Sequence, residues 1–410
     1  MKIWHLTKTL SGGAGQYALR LSNALRAAGM ESTMLVAEGA VSDGSVLLKR
    51  VDSPVRRFVA RGFRSLLHRI AFGAYHSLRG PELYEAVQAI QAGDIVHLHG
   101  MTGWIGASGL GKLIPRGASV FWTAHDLWCV SGGCVVYAGC ERFKSGCKNC
   151  PILRMPVRWL LPRMELANKQ RFIRDYQIHG IANSHWMRRQ LINSKIFSHQ
   201  REIQVVPPII HNAFLKPQQR EGARRQLDLD TDKFVITMGA RAVTDQFKGI
   251  EPFLKELAKD EALASKVLVL LFGDGKIPIP KSTQVREFGA VNDPNKLATV
   301  LTAADVFISP SKMETFGMTL VEAQACGTPV LSFSVGGTPE AVRDGETGWL
   351  LPFGDFHGLI ECLRSLVGDA QKRVAVGNKA REWTQNSFCG DTVARQQESI
   401  YANIKKFGNQ

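Results

Sequence analysis

The chain has 410 residues, of which 45% are hydrophobic and 21% are charged, and it carries a formal net charge of +15. This composition is that of an ordinary globular protein, and it excludes a disordered or a membrane-spanning chain. The length exceeds what one compact core usually holds, so two domains of roughly 150–200 residues are expected. The positive charge leaves nucleic acid, an anionic membrane surface or an anionic small substrate as partners.

The N-terminal sequence and the apolar runs indicate the compartment. The chain opens with MKIWHL and soon reaches SGGAG at 11–15, without the apolar stretch and cleavage site of a signal peptide. The longest clean apolar run, at 267–272, is far shorter than the ~20 residues that a spanning helix needs. We therefore expect a cytoplasmic protein, and in that compartment disulfides are rare and clustered thiols more often bind metal.

Short β-rich segments and helical segments alternate through the first half of the chain. The helical pattern is clearest over 15–28, and Gly29 follows it where a helix typically ends. The glycine-rich SGGAG, at 11–15, falls between the first strand and the first helix, where backbone N–H groups can approach a ligand. A tight turn without a ligand is an equally good interpretation of this short motif. The predicted strands lie at 2–6, 32–37, 94–100, 119–125 and 178–184.

The segment 49–79 is strongly basic, with eight Lys or Arg residues against the single acid Asp52. A helix over 55–72 would carry two stripes on opposite faces. The apolar stripe consists of Val59, Phe63, Leu66 and Ile70. The basic stripe consists of Arg57, Arg61, Arg64 and His68. Two interpretations stay open: a surface helix with a solvated basic face, or a basic face that rests on anionic lipid.

The stretch 125–151 contains five of the chain's eight cysteines directly behind a His-Asp pair. The spacing C-x2-C at its end is that of half a structural zinc site. The four candidate ligands are Cys134, Cys140, Cys147 and Cys150. Such a four-thiolate site is closed to water and substrate, so it would order a long irregular loop rather than catalyse. Free buried thiols and disulfides are the alternatives, and Cys129, outside the spacing, is interpreted as packing.

The second half of the chain repeats the alternation after a break. Paired prolines within 205–217 predict a segment without regular structure, which suits a hinge. Several of the strands that follow are continuous apolar runs, as is typical of strands covered by helices on both faces. These strands are predicted at 234–240, 267–273, 285–290, 305–311, 329–333 and 348–352. The periodicity therefore predicts two parallel-sheet α/β domains separated by a proline hinge.

Two glutamates in the second half stand beside a predicted helix N-terminus. Glu314 precedes the turn at 315–317, and Glu322 follows on the next helix. The backbone N–H groups at Gly317, Met318 and Thr319 would bind an anion such as a diphosphate. Two carboxylates beside such groups suit a phosphorylated sugar, whose hydroxyls would donate to them. Two solvated helix residues are the alternative for any isolated pair of this spacing.

The string 305–340 closely resembles the signature of the group 1 (family 4) glycosyltransferases, which have a GT-B fold. It contains E-x7-E from Glu314 to Glu322, AQACGTPV at 323–330 and GGTPE at 336–340. The early Gly-Gly and the His-Asp after the fourth strand match more loosely. The cysteine-rich stretch is similar to that of a subgroup found in bacterial exopolysaccharide and O-antigen assembly, the latter a part of lipopolysaccharide biosynthesis.

The resemblance implies a fold and a reaction. The fold would be α/β of GT-B type, with two Rossmann-like domains facing across a cleft, one formed by 1–206 with the 390–410 helix and the other by 207–389. The reaction would move a sugar from a UDP-sugar or GDP-sugar donor to a glycan acceptor, with retention of anomeric configuration and without a catalytic metal. A lipid-linked acceptor and an anionic membrane surface would be the partners, with no nucleic acid, at the inner face of the cell membrane.

The resemblance also implies roles for individual residues. Glu314 would hold hydroxyls of the donor sugar, Glu322 would hold the ribose, and His125 would lie beside the transferred sugar. Contacts to the diphosphate would come from Arg241, Lys248 and the backbone of Phe316, Gly317 and Met318. Gly12 and Gly13 would let the N-terminal loop close over the transferred sugar. Gly273 falls where the family places nucleotide contacts, and Thr319 is among the backbone N–H groups at the start of the helix. The spacing from Arg241 to Lys248 is longer than the family's usual form.

The residues near His125 favour one mechanism. Asp126 is the one carboxylate close to it in sequence, and we expect Asp126 to orient the imidazole. Without a second carboxylate to act as nucleophile, front-face transfer is favoured, with Lys248 and the helix end at Met318 stabilising the leaving group. The alternatives are a nucleotide-sugar epimerase or a phosphorylase of the same fold, and a basic nucleic-acid-binding protein with a zinc module.

Overall fold

The computed structural model describes most of the chain in two compact units. Unit 1 comprises Met1–Pro207 with Val393–Gln410, and unit 2 comprises Pro208–Thr392. The predicted basic helix over 55–72, with Arg57, Arg61 and Arg64, lies outside the described residues. The described residues are 1–39, 44–48, 89–102, 104, 110–111, 113–135, 139–153, 155, 157–197, 202–216, 218–229 and 232–407.

Unit 1 is built on a seven-stranded sheet in the order β3-β2-β1-β4-β5-β6-β7, in which all neighbouring strands are parallel. Its strands are β1 Ile3–Thr7, β2 Ser32–Val36, β3 Ser45–Leu47, β4 Ile95–Leu98, β5 Ser119–Ala124, β6 His179–Ala182 and β7 Gln204–Val205. Its helices within the described residues include α1 Gly12–Ala27, α2 Leu161–Asp175 and α3 His185–Asn193. A helix from the far end of the chain, described below as α13, completes the unit.

The start of α1 differs from the expectation. We predicted a helix from 15 onward, but α1 begins at Gly12, directly after Ser11 in extended conformation. Gly13 therefore lies in the first turn of the helix rather than in a loop, and Gly12 enters that turn with φ +81, outside the right-handed helical region. Gly15 is needed for packing, because a Cβ there would lie 2.1 Å from the carbonyl oxygen of Thr9. The helix ends before Gly29, which has φ +84 as its predicted position requires.

Unit 2 is built on a six-stranded sheet in the order β10-β9-β8-β11-β12-β13, again with parallel neighbours throughout. Its strands are β8 Phe234–Ala242, β9 Val267–Asp274, β10 Gln284–Gly289, β11 Val306–Ser309, β12 Val330–Phe333 and β13 Gly348–Leu351. The helices from 212 onward are α4 Asn212–Leu215, α5 Arg220–Gln226, α6 Ile250–Leu257, α7 Glu261–Ala264, α8 Pro294–Ala303, α9 Met318–Ala325, α10 Thr338–Ala341, α11 Phe356–Gly368, α12 Ala370–Ser387 and α13 Gly390–Phe407.

Both faces of the second sheet are covered by helices. Val235 of β8 packs in a cluster that contains residues of α8 and α9. The next residue, Ile236, packs in a second cluster with residues of α6 and α11. Successive side chains of a strand point to opposite faces, so a sheet covered on both faces needs apolar residues at every position. This explains the continuous apolar runs of the second half.

The predicted break at 205–217 is only partly correct. Residue 205 ends β7, and residues 212–215 form α4, so the segment is not without regular structure. The prolines restrict the residues around 206–208 and leave the chain beyond them free to form a helix. His211 begins that helix, because its Nδ1 accepts a hydrogen bond from the N–H of Ala213 at 3.2 Å.

The strand order sets where ligands bind in each unit. Successive strands are first added on one side of the first strand of each unit and then on its other side. This reversal of strand order lies between β1 and β4 in unit 1 and between β8 and β11 in unit 2. Open α/β sheets bind ligands at the carboxyl ends of the strands at such a switch point. Among the helices that the structure describes, none combines the length and the apolar character needed to span a membrane.

Candidate active site

An ion pair joins the two loops at the switch point of unit 2. Lys248 lies on the loop after β8 and Glu314 on the loop after β11, and Lys248 Nζ is 2.6 Å from Glu314 Oε1. Their side chains are 29% and 18% exposed, so water screens the pair only in part. Burial alone would lower the pKa of Lys248, but the charge and hydrogen bond of Glu314 and the charge of Asp245 raise it. Lys248 is therefore a fixed positive charge at this edge.

A close backbone approach holds Lys248 in place. The N–H of Lys312 donates to the carbonyl of Phe247 at 2.7 Å, which joins the same two loops. Gly249 has φ +66, and a Cβ at this position would lie 2.1 Å from the carbonyl oxygen of Pro310. A glycine after Lys248 is thus required by the contact that positions the lysine.

A second pair of glycines supports the backbone that carries Glu314. The N–H of Gly337 donates to the carbonyl of Glu314 at 2.9 Å. A Cβ at Gly336 would lie 2.0 Å from the carbonyl oxygen of Glu314, and one at Gly337 would lie 2.2 Å from that of Thr315. The sequence GGTPE therefore contributes to this site through packing under the Glu314 loop.

Helix α9 begins directly after that loop. Gly317 precedes its first residue in a left-handed conformation, with φ +103, while Phe316 is buried. Met318 and Thr319 are half-buried in the first turn, where backbone N–H groups lack helical partners and the helix dipole favours an anion. Glu322 lies further along the same helix and is 5% exposed.

Two more of the predicted donor contacts lie at the same edge of the sheet. Arg241 is exposed near the carboxyl end of β8. Gly273 lies near the carboxyl end of β9 with φ +134, and a Cβ there would be 2.3 Å from the carbonyl oxygen of Ala240. Packing therefore requires a glycine at position 273, because β8 and β9 approach each other closely at this point.

Four histidines of unit 1 form a cluster at its switch point, three of them buried and His125 half-buried. His5 on β1 and His97 on β4 are register partners, and His99 and His125 follow the ends of β4 and β5. His5 Nδ1 lies 3.0 Å from His99 Nε2, and His99 Nδ1 lies 3.1 Å from His125 Nε2. Three imidazoles are thus linked by hydrogen bonds from His5 through His99 to His125.

The burial of this chain assigns its protons. His5 Nε2 is buried without a hydrogen-bond partner among the described residues. A bare lone pair there costs less than an unpaired N–H, so the proton of His5 lies on Nδ1 and is donated to His99. His99 then donates from Nδ1 to His125, which keeps its own proton on Nδ1. Burial lowers the pKa of His5 and His125 to about 3, and burial together with the neighbouring imidazoles lowers that of His99 well below its usual value.

His97 belongs to the cluster but is held separately. Its Nδ1 lies 2.6 Å from the Tyr401 hydroxyl and its Nε2 lies 2.7 Å from the Thr123 hydroxyl. In the described part of the chain, His5, His97 and His99 are a group of three metal-ligand types whose ligand atoms lie within 4.8 Å of one another. Both nitrogens of His97 and of His99 are already hydrogen-bonded, so we describe the cluster as a hydrogen-bonded network.

Asp126 has a clear structural task next to His125. Its carboxylate accepts a hydrogen bond from the N–H of Trp128 at 2.8 Å and caps the short 3₁₀ helix Leu127–Cys129. The hydroxyl of Thr102 lies 3.4 Å away. Burial raises the pKa of Asp126 to about 6, although the Trp128 N–H, the charge of Lys169 and the Thr102 hydroxyl act in the opposite direction.

The four candidate zinc ligands line one cavity of unit 1. All four are free thiols rather than disulfides. The residues are Cys134, Cys140, Cys147 and Cys150. Burial raises the pKa of Cys147 to about 12 and raises that of Cys134 and Cys150, and neighbouring thiols of the group act in the same direction. Cys129 is buried outside this cavity.

A buried lysine anchors the loop between His125 and these thiols. Lys169 of α2 donates from Nζ to the carbonyl of Ser131 at 2.9 Å and to the carbonyl of Trp128. Its Nζ also lies 3.9 Å from the centroid of the Trp128 ring. Burial lowers the pKa of Lys169 to about 8, although the charge of Glu165 and those of nearby acidic groups act in the opposite direction.

Sequence analysis missed His5, His97, His99 and Lys169. His5 and His97 lie in strands that pattern as apolar runs and His99 directly follows one, so all three passed as core residues. A signal was present, because HLH at 97–99 places two imidazoles on one face of a strand whose carboxyl end lies at the switch point. Lys169 gave no comparable signal, since a lysine in an amphipathic helix is usually exposed.

Models of two protein families match the chain, each mainly in one unit. The model described as Glycosyltransferase Family 4 matches residues 11–213, and the model described as Glycosyl transferases group 1 matches residues 219–383. Among curated proteins, the D-inositol 3-phosphate glycosyltransferase of Corynebacterium aurimucosum is 32% identical over 197 residues, which are 45% of this chain and 46% of that protein. The match thus spans about half the length of this relative.

Solved structures resemble the whole chain at low sequence identity. Sucrose-phosphate synthase from Thermosynechococcus elongatus gives a TM-score of 0.70 at 19% identity and covers 100% of both chains. Anabaena HepE in complex with UDP-glucose gives a TM-score of 0.66 at 17% identity and covers 98% of this chain and 100% of HepE. These likenesses confirm the predicted fold class, two parallel-sheet α/β domains of the GT-B type.

Proposed function

Because the chain belongs to the group 1 and family 4 glycosyltransferases, we propose that it transfers a sugar from a nucleotide-diphosphate sugar to a glycan acceptor, with retention of anomeric configuration. The observation that carries this proposal is the Lys248–Glu314 pair at the switch point of unit 2, next to the N-terminus of α9. HepE was solved with UDP-glucose, so a UDP-sugar is the first donor to test and a GDP-sugar the second.

The donor would bind across the carboxyl edge of the second sheet. Lys248 and Arg241 would meet the diphosphate with positive charge, and the N–H groups of the first turn of α9 would donate to it. Glu314, held by Lys248, would accept hydrogen bonds from hydroxyls of the donor sugar. Glu322 would accept from the ribose. These groups compensate the diphosphate charge, so we propose that no metal is needed for catalysis.

The reaction would proceed on one face of the sugar. The bond between the anomeric carbon and the diphosphate oxygen breaks, and a bond to the acceptor hydroxyl oxygen forms on the same side. The proton of the acceptor hydroxyl passes to the departing diphosphate. Lys248 and the end of α9 would act where negative charge develops, which is where a preorganised charge lowers the barrier most. We propose that His125, neutral and with its proton on Nδ1, donates a hydrogen bond to the transferred sugar.

The proposal extends to the acceptor and to the surface at which the reaction takes place. The formal charge of +15 and the eight Lys or Arg residues of 49–79 support work at an anionic surface. We propose a lipid-linked glycan as the acceptor, at the inner face of the cell membrane, in the assembly of exopolysaccharide or lipopolysaccharide.

The test is transfer and donor hydrolysis measured with UDP-glucose and related donors. We expect Lys248→Ala to lower kcat by about 100-fold or more, because it removes a charge-assisted contact at the leaving group. Glu314→Gln should cause a similar loss, whereas Glu322→Gln should chiefly raise the KM for the donor. Activity should persist in EDTA, and the anomeric proton coupling of the product should match that of the donor.

A matched control is available on the surface of the same unit. Lys255 and Glu251 form an exposed ion pair of 2.7 Å on α6, so Lys255→Ala removes a comparable pair away from the loops described above. This control should keep both turnover and thermal stability. A Lys248→Ala protein with near wild-type turnover would refute the assignment, and sugar interconversion without release of nucleotide diphosphate would favour the epimerase alternative.

A further inference from the structure

The loop between β5 and α2 is long, and its described residues contain little regular structure. Its described part, up to 135 and again over 139–153, contains only two 3₁₀ turns, Leu127–Cys129 and Arg142–Ser145. Fixing so many irregular residues costs about 1–2 kcal/mol of conformational entropy each. The lining of the cavity inside this loop includes Cys134, Cys140, Cys147, Cys150, Gly132 and Phe143.

The backbone around the cavity is shaped to place the sulfur atoms. The N–H of Gly132 donates to Cys147 Sγ at 3.1 Å, a bond that favours the thiolate form. A Cβ at Gly132 would lie 2.5 Å from the carbonyl oxygen of Pro162 and 2.9 Å from Cys147 Cβ, so only glycine permits this approach. The loop is therefore built closely around the sulfur of Cys147.

The turn that contains the C-x2-C pair is tightly curled. Gly146, Cys147 and Asn149 have φ values of +104, +53 and +54. Left-handed conformations of residues other than glycine cost of order 1–3 kcal/mol each and persist where the surroundings impose them. This curl brings Cys147 and Cys150 to the same cavity. A ligand shared by the two sulfurs would repay that strain.

Positive side chains lie near the four cysteines. Arg142 lines the cavity, and the buried ammonium of Lys169 donates to the carbonyl of Ser131 in the same loop. Four thiolates around a divalent cation carry a net charge of about −2, and the positive side chains of Lys169 and Arg142 would offset that charge.

We propose that Cys134, Cys140, Cys147 and Cys150 bind one Zn²⁺ as a closed four-thiolate site. The four sulfurs already line one cavity. They are further apart than the ligand nitrogens of His5, His97 and His99, which among the described residues are the group whose ligand atoms all lie within 4.8 Å of one another. Zn–S bonds of about 2.3 Å place tetrahedral sulfurs about 3.8 Å apart, so binding contracts the loop around the ion. The site has no open position, and its effect is structural: it fixes the loop that follows His125.

The test measures metal directly and does not depend on transferase activity. Protein purified without a histidine tag, from cells grown with added zinc, should contain one zinc ion per chain by elemental analysis. Replacement by Co²⁺ should give the visible spectrum of a tetrahedral thiolate site. A thiol-blocking mercurial should release the zinc, as seen with a metal indicator dye.

Variants locate the metal. Cys147→Ser and Cys150→Ser should lose most of the zinc and lower Tm, whereas Cys389→Ser, a half-buried cysteine near the start of α13, should keep both. If the serine variants fail to fold, the zinc content and cobalt spectrum of the unaltered chain still decide. Zinc-free protein with four reactive thiols or with disulfides would overturn the proposal, and so would a cobalt spectrum without thiolate ligation.

Discussion

At the scale of single residues, the histidine cluster ties protonation to stability. The pKa values of His5 and His125 fall to about 3 in the folded state, and those of His97 and His99 fall well below the usual value, mainly because of burial. The unfolded chain protonates each histidine near pH 6.5. Between that pH and the lower folded values, the unfolded state binds more protons than the folded state.

Stability should therefore fall as the pH drops below about 6.5. Each buried histidine that stays neutral contributes a loss of up to about 1.4 kcal/mol per pH unit in the free energy of unfolding. Above pH 6.5 this contribution vanishes, because both states are neutral. Chemical denaturation between pH 7 and pH 4.5 measures the slope. The Tyr17, Tyr401 and Asp126 side chains also face this cluster or lie beside it, but no Lys or Arg is among its described ring contacts.

A variant isolates one member of the cluster. His5→Leu removes the buried imidazole with the unpaired nitrogen. The slope of the free energy of unfolding against pH should then decrease by the contribution of one histidine, up to about 1.4 kcal/mol per pH unit. His357→Gln is the control, since its side chain is 80% exposed and pairs only with Glu361 on the surface. An unchanged slope in His5→Leu would mean that His5 is protonated in the folded state.

Single residues also show how much of the candidate site could be predicted from the sequence. Glu314, Glu322 and Lys248 were selected because their spacing matches a motif, and the structure then brings Glu314 and Lys248 to 2.6 Å. That contact joins residues 66 positions apart, and no local pattern contains it. The roles of these residues in donor binding stay predictions, as do those of His125 and Arg241.

At the scale of elements, parallel strands were the most predictable part. All eleven predicted strands are present, and several of them were recognisable because strands covered on both faces are apolar throughout. The two that were missed, β3 and β7, have three and two residues and lie at the edges of their sheet, where exposure removes the apolar signal. The start of α1 was misplaced because glycines normally argue against a helix.

The Gly336 turn gives a prediction at this scale. Gly336→Ala should destabilise the protein by about 2–5 kcal/mol, since it combines a left-handed backbone with a Cβ placed 2.0 Å from the carbonyl oxygen of Glu314. Glu314 must then shift, so donor affinity should fall as well. Thermal unfolding and donor titration measure the two effects.

Gly345 supplies the matched control. It also has a left-handed backbone, with φ +74, but a Cβ there would meet nothing within 4 Å. Gly345→Ala should therefore cost only about 1–2 kcal/mol and leave donor affinity unchanged. Equal losses in the two variants would show that backbone conformation, and not the contact with the Glu314 loop, makes Gly336 necessary.

At the scale of the whole molecule, the charge distribution predicts membrane binding. Near an anionic surface each Lys or Arg contributes about 1 kcal/mol, so changing Arg57, Arg61 and Arg64 to Glu should weaken binding to anionic vesicles by about 100-fold or more. Wild-type binding should fade as salt is added and should be weak on zwitterionic vesicles. Sedimentation with vesicles of the two compositions measures this.

The control changes the same number of charges elsewhere. Lys266, Lys281 and Lys296 are exposed residues of unit 2, and their replacement by Glu should leave most of the vesicle binding intact if the basic segment 49–79 is responsible. Equal losses in the two triple variants would assign the binding to net charge alone. Equal binding to neutral and anionic vesicles would contradict the prediction.

The return of the chain to unit 1 has a consequence for biosynthesis. Tyr401 of α13 is buried in unit 1, where its hydroxyl bonds His97 at 2.6 Å and its ring packs on Phe121 at 4.9 Å. A ribosome makes the sheet of unit 1 first, but it adds this piece only after all of unit 2 has been translated. The N-terminal unit is therefore the first to be started and the last to be finished. Until then, a growing chain holds the complete seven-stranded sheet of unit 1, in which the buried His97 still lacks the hydroxyl of Tyr401 as a hydrogen-bonding partner.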